Sequence, residues 1–70
     1  MAPTDDERLD AARRALAGLK TMLAVSVATK EALERQGDAD LIEMFANVTD
    51  AIRLLVNLAE HMIKRREKEQ

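Results

Sequence analysis

Cysteine, tryptophan and tyrosine are absent; phenylalanine, proline and histidine occur once each, and glycine twice. Without cysteine no disulfide can staple the fold, and nothing marks an oxidising compartment. A single histidine, His61, without cysteine cannot supply a structural metal site. Chain breakers are limited to Pro3, Gly18 and Gly37. Strand signals are missing as well: there are four valines and no alternating run. Neither charge dominates, since 11 basic and 13 acidic residues leave a net of −2. That balance carries no electrostatic footprint for nucleic acid. Long apolar runs are lacking too. The least polar stretch, from Ala15 to Ala28, is interrupted by Lys20, Thr21 and Ser26 and is too short and polar to span a bilayer. Asp5-Asp6-Glu7 is the opposite of a positive leader region, and no terminal pattern suggests lipidation. The expectation is a soluble cytoplasmic protein with no membrane and no nucleic-acid partner.

What is there is Ala, Leu, Glu, Lys and Arg, the strong helix formers. Thr4 followed by Glu7 makes a capping box, with Asp5, Asp6 and Glu7 against the positive end of the helix dipole. The first helix is predicted over about residues 4–36. Gly37 then offers the left-handed conformation that ends helices, and Asp38 caps the next one. The second helix is predicted over about residues 39–67, with Lys64, Arg65, Arg66 and Lys68 at its negative end. A turn at 37–38 forces the helices antiparallel. Supporting charge pairs are expected at Asp10–Arg14, Glu31–Arg35 and Glu60–Lys64.

Each helix carries four contiguous apolar columns. In the first they are Leu9, Leu16, Leu23; Ala12, Leu19, Ser26, Leu33; Ala15, Met22, Thr29; and Ala11, Gly18, Val25, Ala32. In the second they are Leu41, Val48, Leu55, Met62; Phe45, Ile52, Ala59; Met44, Ala51, Leu58; and Ile42, Thr49, Val56, Ile63. At ~100° per residue these stripes cover roughly 200° of each helix. Two helices packed on each other hide only one or two columns each. The remainder would be an exposed patch far larger than soluble monomers carry. A chain of this length rarely gains more than ~3–5 kcal/mol from one core. The fold class expected is therefore all-α: an antiparallel two-helix hairpin, a single domain of 70 residues, assembling into a symmetric helical bundle. The assembly core is drawn from Leu9, Leu16, Gly18, Leu19, Met22, Leu23, Val25, Leu41, Phe45, Val48, Ile52, Leu55, Leu58 and Met62. Leu19 and Leu55 are expected to be central. Gly18 inside a helix costs roughly 1 kcal/mol against alanine, so a close helix crossing between subunits is expected there.

Catalytic chemistry is not visible. No nucleophile has a base near it, no glycine-rich phosphate loop occurs, and Ala59-Glu60-His61 lacks di-iron spacing. The expectation is no enzyme, no cofactor and no metal. Ser26, Thr29 and Thr49 fall among apolar columns, where they either back-bond within the helix or form a hydrogen-bonded layer at a symmetry axis. The capping box, the Gly37-Asp38 turn, the matched helices, their acidic starts and basic ends, and the missing Cys, Trp and Tyr together resemble a computationally designed (de novo) helical hairpin. That resemblance implies a symmetric homo-oligomer whose purpose is its own structure. In architecture alone the chain also looks like the small plasmid copy-number hairpin that dimerises and binds paired RNA loops, but the basic face needed for that is not evident. The function expected is a self-assembling structural module: a homo-oligomer, with a dimer preferred and a trimer or tetramer next. The alternatives are an adaptor capturing a partner helix or a cofactor site through His61.

Overall fold

The protein is described by a computed structural model covering residues 3–69. Thr4 holds an extended backbone, and its hydroxyl accepts the Glu7 N–H at 3.2 Å. That bond satisfies one of the amide donors that a first turn leaves without a helical partner. Helix α1 (Asp5–Gln36) follows, with Asp5, Asp6 and Glu7 in its first turn. It stops at Gly37, whose φ of 79° is left-handed and whose N–H donates to the Leu33 carbonyl at 2.9 Å. Asp38 opens helix α2 (Ala39–Glu69), its carboxylate accepting the Leu41 N–H at 3.2 Å. The second helix continues to Glu69, beyond the predicted end near Glu67. Lys68 and Glu69 are good helix formers, and no glycine or proline stops them.

Gly37→Ala should cost about 1–2 kcal/mol, because a left-handed backbone is strained once a Cβ is present. Nothing lies within 4 Å of the added Cβ, so the loss would be conformational and not steric. A urea melt measures it; an unchanged midpoint would show that the turn relaxes at no cost.

The helices pack side by side as a rod with extents of 50 × 20 × 15 Å. Among the described residues both elements are helices, with no strand, and neither helix is long and apolar enough to cross a membrane. The hairpin seam uses two of the four columns on each helix. From α1 come Leu9, Ala12, Leu16, Leu19, Leu23, Ser26 and Leu33; from α2 come Ile42, Phe45, Thr49, Ile52, Val56, Ala59 and Ile63. All of these are buried or partly buried. Their alternating three- and four-residue steps, with the half-buried Lys30 at the position between Ser26 and Leu33, make the narrow seam of a coiled coil. Among the described residues, Leu9, Ile52, Val56 and Ile63 alone of the apolar side chains are buried, and no large side chain is fully enclosed. One hairpin therefore closes little core of its own.

Candidate assembly face

The two long edges of the hairpin are chemically opposite. On one edge, four residues after seam positions, lie Arg13 and Lys20 of α1 and Glu60 and Glu67 of α2. They join across the helices: Arg13 Nη2 is 3.4 Å from Glu67 Oε1, and Lys20 Nζ is 3.3 Å from Glu60 Oε1. These pairs are largely exposed and contribute little stability each, on the order of 0–1 kcal/mol. Their informative property is position, since they occupy one edge only.

The other edge is apolar. Its columns lie one residue before the seam columns on both helices: Ala11, Ala15, Gly18, Met22, Val25, Thr29 and Ala32 on α1, and Leu41, Met44, Val48, Ala51, Leu55, Leu58 and Met62 on α2. One residue back is a rotation of about 100° about each helix axis. Because the helices are antiparallel, equal rotations along each chain direction swing both stripes to the same side of the rod. There Met22, Val25, Leu41, Met44, Val48, Leu55, Leu58 and Met62 stand exposed, several with more than half their surface in solvent. The α1 half of this face is built mainly of small residues, and the α2 half mainly of large ones. Gly18 is part of it, and a Cβ added there would meet nothing within 4 Å in the same hairpin.

Inside the seam the Ser26 and Thr49 hydroxyls share a hydrogen bond of 2.7 Å, and both residues are buried. This is a hydrogen-bonded layer, and it lies between the two helices of one chain. It sets the two helices level with each other at this point. Thr29 behaves differently: its hydroxyl donates back to the Val25 carbonyl at 2.8 Å, as does Thr21 to Ala17 at 3.1 Å.

The residues expected in the assembly core thus divide. Leu9, Leu16, Leu19, Leu23, Phe45 and Ile52 line the seam within the chain, whereas Gly18, Met22, Val25, Leu41, Val48, Leu55, Leu58 and Met62 lie on the open face. Three expected ion pairs are corrected. Asp10 reaches Arg13 at 3.5 Å in place of Arg14, Glu60 turns to Lys20 across the seam in place of Lys64, and the last turns of α1 pair Lys30 with Glu34 at 3.9 Å in place of Glu31 with Arg35. The cross-helix pairs lie outside any pattern confined to a single helix. Their signal was present, because Arg13 and Lys20, like Glu60 and Glu67, recur at the heptad interval. His61 lies exposed on the outer flank of the apolar face, in one column with Asn47 and with Leu54, which is 71% exposed. Among the described residues no three His, Asp or Glu side chains come together as a metal site.

Comparison of the chain with protein-family models, with curated proteins and with solved structures finds no match in any of the three.

Proposed function

We propose that this protein is a structural, self-assembling helical module: a homo-oligomer, in the first place a dimer, whose role is assembly and not catalysis. The observation that supports this reading is the apolar edge. It exposes Leu41, Met44, Val48, Leu55, Leu58 and Met62 along α2, while the seam buries only four apolar residues among those described. Two such faces placed together complete a four-helix bundle, an arrangement that needs apolar positions beyond the two-column seam. The resemblance to a designed hairpin goes with the same reading. A helix-capturing adaptor would use the same face but would remain monomeric alone. Sedimentation at micromolar concentration separates the two. One species at twice the 7.8 kDa chain mass is expected, and a well-folded helical monomer would overturn the proposal.

A further inference from the structure

Self-association could occur in two symmetric ways, and the order of residues on the apolar face discriminates between them. Resting on the self-association reading, we propose that the second copy docks on this face about a two-fold axis parallel to the helices. Each α1 then packs antiparallel on the partner's α2, and both Gly37 turns lie at the same end of the bundle.

The argument starts from level. Ser26 and Thr49 are hydrogen-bonded across the seam, so they stand at the same height along the rod. Rotation about an axis parallel to the helices adds no axial shift, so the partner's residues keep the heights they have in their own hairpin. Counting outward from Ser26 and Thr49 then places every residue of the face. Gly18 meets the gap between Leu55 and Leu58 of the partner subunit. Ala15 meets the gap between Leu58 and Met62 of the partner subunit, and Ala32 the gap between Leu41 and Met44 of the partner subunit. Met22 and Val25, the large residues of the α1 stripe, fall beside Ala51 of the partner subunit, the one small residue of the α2 stripe. Small faces large at each level, the interdigitation that close packing asks for.

The flanking column repeats the match in charge. On α1 it reads Glu7, Arg14, Thr21, Ala28, Arg35, and on α2 Asp40, Asn47, Leu54, His61, Lys68. At equal height Glu7 meets Lys68 of the partner subunit, and Arg35 meets Asp40 of the partner subunit. Both ends of each new seam are closed by opposite charges. The exposed Leu54 lies over Thr21 of the partner subunit, which gives that side chain a covering it lacks in the lone hairpin.

The other symmetric choice puts the axis perpendicular to the helices. It stacks α1 on α1 and α2 on α2, with the turns at opposite ends. Its flanking charges also match, so charge alone does not decide. Size does. One seam would then join the two small-residue stripes and the other the two Leu/Met stripes. Helix separations range over about 8–10 Å with the side chains at the contact, so a rigid hairpin with parallel helices would meet one seam and gap the other. The face itself is large enough for a stable pair: one side of a 50 × 20 Å rod is about 1,000 Å², against roughly 800 Å² per partner in a standard interface.

Two measurements on the full chain test this. The first is a spin-label distance at Gln36→Cys, a clean single site because the chain has no cysteine. The axis proposed gives one short distance, comparable to the width of the bundle. A distance near the 50 Å length of the rod would overturn the orientation while leaving the dimer in place. The second is a size swap read by the dimer dissociation constant. A Cβ at Gly18 meets nothing within 4 Å in its own hairpin, so for Gly18→Leu a rise of tenfold or more is assigned to the partner. Adding Leu55→Ala should recover most of that loss, and adding Val25→Ala should not. Rescue by Val25→Ala would assign the perpendicular axis. An unchanged constant in Gly18→Leu would place Gly18 in solvent and overturn the proposal. A monomer in the unmodified protein would instead remove the self-association reading on which it rests.

Discussion

Leu19→Ala is expected to lower the melting temperature at every protein concentration, whereas Leu55→Ala lowers it by an amount set by assembly. Leu19 lies in the seam of its own hairpin, partly buried against α2. Truncating a buried leucine costs ~2–5 kcal/mol, and the partial exposure of Leu19 places it toward the lower end. In the proposed assembly every copy would carry that loss. Leu55 is 51% exposed in the lone hairpin. There its truncation removes little buried surface, so most of its cost should arise through the second copy. Melts followed by circular dichroism from micromolar to high micromolar concentration separate the two. If Leu55→Ala shifts the melt identically at all concentrations with the oligomer mass unchanged, the apolar edge is not the assembly face.

The second large effect concerns the Ser26–Thr49 layer. Ser26→Ala leaves the Thr49 hydroxyl buried without its 2.7 Å partner, and an orphaned buried hydroxyl costs ~1–3 kcal/mol. Back-bonding to the carbonyl four residues earlier can recover part of this, as Thr29 and Thr21 already do, so about 1–2 kcal/mol is the expected loss. Replacing both hydroxyls, Ser26→Ala with Thr49→Val, should restore or raise stability, because an apolar pair of similar shape leaves nothing unsatisfied. The double variant gives up a polar layer that opposes a heptad slip of α1 along α2, since a slipped register sets a hydroxyl against an apolar residue. A double-mutant cycle measures the coupling. Strictly additive losses would show that the two hydroxyls do not act as a pair.

Much of the local structure was legible in the residues. Thr4, Glu7, Gly37 and Asp38 act as caps through contacts within four positions of themselves, so short-range chemistry suffices to place them. The apolar columns were legible for the same kind of reason, because helical geometry alone says which residues share a face. Ion pairing was less so. Arg14, Glu31 and Lys64 had suitable neighbours within their helices, but Asp10 pairs with Arg13, Glu60 with Lys20, and Glu67 with Arg13. An exposed pair within one helix gains only a few tenths of a kcal/mol, so a partner across the seam easily redirects it.

From the sequence alone came the two helices, the turn between them, and four apolar columns on each, too many for one hairpin to cover. The tertiary structure decided which two columns close the chain on itself. Both candidate stripes step by three and four residues, and they differ by a single residue of phase. Periodicity alone therefore cannot rank them. The choice rests on contacts that exist only when both helices are present: the buried Ser26–Thr49 bond in the seam and the Arg13–Glu67 and Lys20–Glu60 pairs along one edge. With that phase taken, antiparallel geometry turns the remaining stripes of both helices to the same side, which is why one edge of the hairpin is charged and the other is a continuous apolar face.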